Sequence, residues 1–278
     1  MRPTLIAIGS LQFHSYTFMM AVAFLTAVLL CVRENYRLEQ PYPVTPAGGL
    51  WVYVGALVGA RLYWILQYDT PAHFYQALFF WQGGLVFYGG LAGGALGAMA
   101  YLRYKGVPIV PMGDLVMPYL ALGHALGRVG CFLNGCCWGA PTSLPWGVSF
   151  PKANWGAYEQ QLNDGLIDSH AACTLPVHPT QLYCAIGLIA MFFILRSVYK
   201  RHGDYTGLVF LLYPILYGCL RFTVEVFRGD SARPLLTMTV SQMVSLGMVL
   251  LGGAGLALLH AVRRRKAETS ATPETSGE

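Results

Sequence analysis

Residues 206–226 read TGLVFLLYPILYGCLRFTVEV. An apolar run of about 20 residues is long enough to cross the hydrocarbon core of a bilayer as an α-helix. Arg221 and Glu225 are the only charged residues in this run. They are four positions apart, so a helix places them on the same face. The stretch therefore predicts a transmembrane helix that carries an ionic pair at membrane depth.

The composition extends this prediction to the whole chain. Of the 278 residues, 11% are charged and 55% are hydrophobic, whereas a soluble domain has about 25% charged residues. So few charges cannot cover a soluble globule with solvated side chains. The composition argues against soluble, disordered and nucleic-acid-binding proteins, and it predicts an all-α polytopic membrane protein.

Seven apolar segments are long enough to form transmembrane helices. The fourth contains Asp114, His124 and Arg128, so we expect it inside the helix bundle rather than facing lipid. The one long loop, about 133–179, is rich in Pro and Trp and predicts a small outer-side loop domain at headgroup level. The predicted spans are about 16–32, 47–67, 83–102, 111–132, 180–198, 206–226 and 237–262.

The positions of Lys and Arg predict the orientation. Eleven of the 18 lie in connections on one side of the predicted membrane and four on the other, and the excess marks the cytoplasmic side. The N-terminus is therefore expected outside and the C-terminus in the cytoplasm. We predict a seven-span membrane domain over 1–266, followed by a disordered cytoplasmic tail over 267–278 that is rich in Ala, Glu, Thr and Ser.

Charged residues at predicted membrane depth need a compensating partner, because each costs about 2.5–3.5 kcal/mol at a helix centre. One hypothesis is that they neutralise one another and hold the bundle together. The other follows from the excess of arginine, since a guanidinium fork suits phosphate oxygens and a phospholipid headgroup is an anion available in a membrane. The residues concerned are Arg61, Asp114, Arg128, Arg221 and Glu225.

Cysteines cluster where the fourth span ends, in residues 127–139, GRVGCFLNGCCWG. The glycines of this stretch predict that the helix breaks and the chain turns. Three hypotheses remain open for Cys131, Cys136 and Cys137: a disulfide from Cys136 or Cys137 to Cys173, buried free thiols, or metal or redox chemistry. Their spacing does not match the paired Cys-x-x-Cys pattern of zinc sites.

Two further stretches combine packing signals with polar groups. Residues 83–97 read GGLVFYGGLAGGALG, a small-xxx-small pattern that allows close helix packing and leaves room around the Tyr88 hydroxyl. Residues 178–183 read HPTQLY, where Thr180 is a candidate helix cap and His178 a candidate ligand-facing donor.

Taken together, these segments resemble the prolipoprotein diacylglyceryl transferase family. The similarity covers nearly the whole chain in the same order. Its motifs are Tyr16, residues 59–61 (GAR), 83–91 (GGLVFYGGL), 127–135 (GRVGCFLNG), 178–183 (HPTQLY) and 217–228 (YGCLRFTVEVFR).

The resemblance implies a bacterial inner-membrane enzyme that moves the diacylglyceryl group of phosphatidylglycerol to the lipobox cysteine of a prolipoprotein signal peptide. A thioether forms and glycerol phosphate leaves. Because the substrate supplies the nucleophile, no cofactor, metal ion or enzyme cysteine is required, and membrane lipids rather than nucleic acid are the expected partners. The implied catalytic residues are Arg221, Arg128, Glu225 and Tyr88. The implied substrate-binding residues are Tyr16, Arg61, Asn134, Gly139, His178, Gln181 and Tyr217.

Three positions depart from the family pattern, which has His at Tyr88, Asn at Cys131 and Glu at Cys136. A tyrosine with an ordinary pKa near 10 is a poor general base at neutral pH. Two alternative hypotheses therefore stand beside the transferase. One is a divergent phospholipid-binding protein with another acceptor or no catalysis. The other is a membrane thiol or metal protein that uses the outer-side cysteines.

Overall fold

The computed structural model describes residues 4–8, 11–39, 45–68, 86–152, 155–203, 205–229 and 238–271. It divides into two compact units, one formed by Met1–Ala27 with Asp114–Glu278 and the other by Val28–Gly113. In chain order the elements are β1 (Thr4–Ile8), β2 (Leu11–His14), α1 (Ser15–Arg37), α2 (Pro46–Tyr68), α3 (Phe87–Tyr104), α4 (Ile109–Asn134), α5 (Trp155–Asn163), α6 (Thr180–Arg201), α7 (Leu208–Val226) and α8 (Val240–Ala271).

The helical, polytopic prediction is confirmed. Among the described residues, six helices are long and apolar enough to cross a membrane: α1, α2, α4, α6, α7 and α8. The predicted third span coincides with α3, an 18-residue helix that is not among those six, because glycines, tyrosines and Arg103 dilute its apolar residues.

The N-terminal hairpin is a difference from the prediction, which contained no strands. β1 and β2 pair antiparallel with an irregularity between Thr4 and Ile6. Strands of five and four residues are too short to show a clear alternation of apolar and polar residues in the sequence.

Helix α4 is the most enclosed of the candidate spans, as its polar residues predicted. In α4, half of an 18-residue apolar stretch is buried, whereas the corresponding share is 11–28% in the other five helices. The buried Asp114 carboxylate accepts backbone hydrogen bonds from Gly207 (2.5 Å) and Phe210 (2.7 Å) at the start of α7. Asp114 thus stabilises the unsatisfied N–H groups of that helix. Mutual neutralisation of the charged residues at membrane depth thus holds for Arg221 and Glu225 but does not extend to Asp114, whose contacts are at the opposite end of α7.

In the unit Val28–Gly113, α2 and α3 pack backbone to backbone along their glycines. A Cβ atom at Gly59 would clash with the backbone of Gly89 and Gly93, and one at Gly97 with the carbonyl of Trp51. The small-xxx-small pattern of residues 83–97 therefore works as predicted, with the face Gly89, Gly93 and Gly97 in use.

This packing makes Gly93 intolerant of a side chain. In Gly93→Ala the new methyl would lie 2.9 Å from the Cα of Gly59, so we expect a loss of about 1–3 kcal/mol in the free energy of unfolding. Thermal unfolding in detergent measures this. The control is Gly253→Ala in α8, where a Cβ meets nothing within 4 Å. Equal melting temperatures for the two variants would contradict this account of α2–α3 packing.

The loop over 133–179 folds around a small core of its own. Phe150, Ala157 and Val177 are fully buried there, with Trp138 packed against them. Isolated bridges join Val148 to Val177 and Pro151 to Cys173. At the other end of the chain, α8 continues past Lys266 to Ala271, so helix replaces the first part of the predicted disordered tail, and residues 272–278 lie outside the described residues.

Candidate active site

The C-terminal end of α7 holds an ionic cluster. The Glu225 carboxylate is almost fully buried, and its Oε2 lies 2.6 Å from Nη2 of Arg221 and 3.7 Å from Nε of Arg228. The Arg221 pair is a charge contact, because the same oxygen accepts no hydrogen bond of good geometry. Arg221 also donates a 2.9 Å hydrogen bond to Oγ of Ser241 in α8. Two arginines therefore share one buried carboxylate.

Helix α4 contributes a second basic group. Nε of Arg128 donates to Nε2 of His124 over 3.3 Å, one turn earlier in the same helix. The His124 ring lies 5.2 Å from the ring of Tyr217 in α7, and Arg128 interacts electrostatically with the Tyr217 hydroxyl. Since His124 accepts from Arg128, its other ring nitrogen carries the proton when the imidazole is neutral.

The arginines of α4 and of the α7 cluster both interact electrostatically with one buried residue of α6. Cys184 is 1% exposed and interacts electrostatically with Arg128, Arg221 and Arg228. The charges of Arg128, Arg221 and Arg228 therefore act on the same buried thiol, and the Glu225 carboxylate lies beside two of them. The resulting positive potential suits an anion, and the planar guanidinium suits the oxygens of a phosphate.

The turn after α4 is held against the start of α6. Nε2 of Gln181 donates to the carbonyl of Cys136, and Oγ1 of Thr180 donates to the carbonyl of Cys137, each over 2.7 Å. The predicted helix-cap role of Thr180 is wrong, because Pro179 occupies the cap position of α6 and the Thr180 hydroxyl donates to another segment. Asn134, the last residue of α4, interacts with the Cys136 thiol.

All seven cysteines are free thiols. The hypothesis of a disulfide from Cys136 or Cys137 to Cys173 is therefore wrong. Instead, Cys131, Cys136 and Cys137 lie together. Hydrogen bonds with the Cys131 and Cys136 thiols, followed by the charges of Arg228 and Arg128, lower the pKa of the Cys137 thiol against the opposing effect of burial.

Aromatic and backbone groups of the loop over 133–179 pack against the end of α7, next to the ionic cluster. Nδ1 of His178 lies 3.1 Å from the Tyr183 hydroxyl, and its ring lies 5.2 Å from that of Phe227. Gly139 donates to the carbonyl of His178 over 3.0 Å and forms a bridge with Arg228. A Cβ atom at Gly139 would lie 2.6–2.7 Å from backbone oxygens of two neighbouring segments, so only glycine fits there.

The structure brings most of the predicted site residues into the unit that contains Asp114–Glu278. Tyr16, from the start of α1, interacts electrostatically with Arg128 and with all three clustered cysteines. Arg61 and Tyr88 belong to the other unit. There Arg61 is buried with its guanidinium 4.7 Å from the Trp64 ring centroid, and Tyr88 is 56% exposed.

Three residues of the cluster were missed by the sequence analysis as site residues: His124, Arg228 and Ser241. The first two had a signal in the sequence. His124 precedes Arg128 by four positions and Arg228 follows Glu225 by three, the spacings at which helical side chains meet. Ser241 had none, because it lies on another helix.

The fold and the cluster together define a polytopic helical membrane protein with a buried cluster of arginines around a carboxylate. The sequence profile of the prolipoprotein diacylglyceryl transferase family matches residues 3–258. The chain belongs to this family.

Curated relatives agree over most of their length, and each is named phosphatidylglycerol–prolipoprotein diacylglyceryl transferase. The chain is 32% identical to the protein of Clostridium tetani over 91% of this chain and 95% of the relative. It is 33% identical to that of Pseudomonas fluorescens over 91% of each chain. The protein of a Nostoc species is 32% identical, over 99% of this chain and 95% of the relative.

Proposed function

We propose that the chain transfers the diacylglyceryl group of phosphatidylglycerol to the lipobox cysteine thiol of a prolipoprotein. The observation that carries the proposal is that Arg221 and Arg228 lie beside one buried carboxylate at the end of α7, with Arg128 on α4 next to α7 through His124 and Tyr217, in a family member. A carbon–sulfur bond forms, and the bond between the glyceryl carbon and the phosphate oxygen breaks. The thiol loses its proton, and glycerol phosphate leaves with the electron pair.

In this proposal Arg128 and Arg221 hold the phosphate. Negative charge grows on the bridging oxygen as its bond to carbon breaks, and preorganised cationic donors stabilise such charge more than they stabilise the ground state. Glu225 orients Arg221 rather than acting on substrate, because its carboxylate is 1% exposed and already paired. His124 orients Arg128 in the same way through the 3.3 Å hydrogen bond.

The remaining predicted residues would shape the substrate cavity. Tyr16 and Tyr217 supply hydroxyl groups beside Arg128. Gln181 has a buried Oε1 without a hydrogen-bond partner, which suits a substrate hydroxyl as donor. Asn134, Gly139 and His178 would line the loop side, and the resemblance to the family implies a substrate-binding role for Arg61 as well.

The substrate thiol must become a thiolate before it attacks. Neighbouring arginines lower the pKa of a thiol, so the positive potential of the cluster supports ionisation of the lipobox cysteine. Tyr88 is proposed to assist through its hydroxyl, at the position where the family pattern has a histidine.

A pair of substitutions tests Tyr88. We expect Tyr88→Phe to lower kcat for transfer about tenfold or more, because the hydroxyl is lost. We expect Tyr88→His to raise it, because an imidazole titrates near neutral pH whereas a phenol does not. The control is Tyr104→Phe, an exposed tyrosine at the end of α3. Unchanged rates in both Tyr88 variants would remove Tyr88 from the site.

We also propose the bacterial inner membrane as the location, with the N-terminus outside and the C-terminus cytoplasmic. This follows from the excess of Lys and Arg in one set of connections, including the run Arg263, Arg264, Arg265 and Lys266 at the end of α8. The arginine cluster would then face prolipoproteins after their export.

The proposed function is tested in a bacterium depleted of its own diacylglyceryl transferase. The chain is expected to restore growth and lipidation of a reporter lipoprotein, and an Arg221→Ala variant made at equal level is expected to fail. Membrane-inserted protein that restores neither growth nor lipidation would count against the proposal.

A further inference from the structure

Three thiols meet at the point where α4 ends. The sulfur atoms of Cys131, Cys136 and Cys137 all lie within 4.8 Å of one another, and each residue is partly buried. Cys131 belongs to the last turn of α4, and the other two follow in the turn after Asn134. We call these three residues the thiol triangle. The transfer reaction does not use it, because the reacting thiol belongs to the substrate.

The backbone holds the triangle in place. The amides of Gly135 and Cys136 both donate to the carbonyl of Cys131, and Gly135 and Cys137 adopt φ values of 76° and 61°. A left-handed conformation costs a residue with a side chain about 1–2 kcal/mol, and such strain persists where the surroundings enforce it. Here the enforcement comes from α6, whose Thr180 and Gln181 bind the carbonyls of Cys137 and Cys136.

The geometry suits a metal ion bound by three sulfurs. Thiolate–metal bonds of about 2.3 Å place three sulfurs around one ion at about 4 Å from one another, within the separations found here. Thiolates select soft ions, above all Cu(I) and Zn(II). The group contains no fourth ligand among the described His, Cys, Asp and Glu residues. Structural zinc sites are almost always four-coordinate, so the three-sulfur set favours Cu(I).

The charges around the triangle agree with a monovalent ion. Three thiolates and one Cu(I) leave a net charge of minus two, and Arg228 and Arg128 both interact electrostatically with Cys137. Their positive charges, of which that of Arg228 is shared with Glu225, offset part of this charge and lower the cost of holding thiolates in a partly buried position.

We propose that Cys131, Cys136 and Cys137 form a three-coordinate thiolate site for Cu(I). On binding, each thiol gives up its proton and its sulfur donates an electron pair to the ion, so no oxidant or reductant is consumed. The site adjoins the proposed transfer site, because Arg128 interacts with both, but its test measures metal binding and does not depend on enzymatic activity.

The test measures metal binding by the full-length protein in detergent. Anaerobic protein is titrated with Cu(I) in competition with bathocuproine disulfonate, and thiolate-to-copper charge transfer is followed in the ultraviolet. We expect one tightly bound equivalent whose X-ray absorption spectrum shows three sulfur neighbours at about 2.3 Å. Single Ser variants of the triangle are expected to bind about tenfold more weakly or worse. The matched control, Cys173→Ser, removes an exposed thiol and should bind as the unaltered protein does.

Three results would overturn the proposal. The first is binding that Cys131→Ser, Cys136→Ser and Cys137→Ser leave intact. The second is a protein that binds Zn(II) at these cysteines and does not release it when Cu(I) is added. The third comes from alkylating the protein in the presence of the chelator, first without and then with a reductant. If two cysteines of the thiol triangle react only after reduction, they form a disulfide instead of a metal site.

Discussion

Replacing Arg221 with alanine is expected to lower the rate of diacylglyceryl transfer by about 10²–10³-fold, the range found when one preorganised donor to developing negative charge is removed. Arg221 has two polar contacts in the cluster: it lies 2.6 Å from Glu225 and donates to Ser241 over 2.9 Å. These contacts fix the guanidinium before substrate binds, so its loss removes both charge and orientation.

The protein should remain folded in Arg221→Ala, because Arg228 is still near the Glu225 carboxylate. Arg221→Lys keeps the charge but loses the planar fork, and we expect an intermediate rate. The control is Arg265→Ala in the exposed last part of α8, which should transfer at the normal rate. Initial rates with labelled phosphatidylglycerol and a lipobox peptide give the comparison. Full activity in Arg221→Ala would take Arg221 out of the site.

Glu225→Gln is expected to destabilise the protein by about 3–5 kcal/mol, the cost of leaving a buried charge without its partner. The carboxylate is 1% exposed and lies between Arg221 and Arg228, so its neutralisation leaves two guanidinium groups facing each other. Transfer should fall as well, because Arg221 loses the group that orients it. Thermal unfolding in detergent and transfer rates on the same preparations measure the two effects.

A second substitution separates the role in stability from the role in catalysis. Adding Arg228→Met to Glu225→Gln removes one of the two positive charges beside the neutralised side chain and should recover part of the melting temperature, while transfer stays low. Glu159→Gln changes an exposed carboxylate of α5 and serves as the control. If Glu225→Gln melts and transfers like Glu159→Gln, the buried ionic cluster does not have the role proposed for it.

The helices could be predicted from the sequence because their signal is local. An apolar run such as 206–226 is long enough to identify a span by itself, and the polar residues of the fourth span correctly predicted that α4 is the most enclosed. The role of Asp114 was not accessible in this way. Its partners are backbone amides 93 and 96 positions away, and no pattern along the chain records them.

In the site, too, some residues can be predicted from a local signal and others cannot. Arg128, Arg221 and Glu225 stand out because a charge at membrane depth is costly. Cys131, Cys136 and Cys137 also stood out, yet their spacing matched no paired zinc pattern and left three hypotheses open. A helix end and two left-handed residues bring the sulfurs together, and neither can be read from the spacing. The position of Thr180 at the start of a helix predicts a cap, and this position can be read from the nearby sequence. Its hydrogen bond to the carbonyl of Cys137 cannot, because the two residues are 43 positions apart.

The central claim is that the arginine cluster serves diacylglyceryl transfer from phosphatidylglycerol to a lipobox thiol. The most direct measurement incubates the purified protein with phosphatidylglycerol labelled in its acyl chains and with a lipobox peptide. We expect a labelled thioether on the peptide cysteine with release of glycerol phosphate, and no product with Arg221→Ala. A folded protein that forms no labelled peptide, under conditions in which a relative from Pseudomonas fluorescens does, would contradict the account.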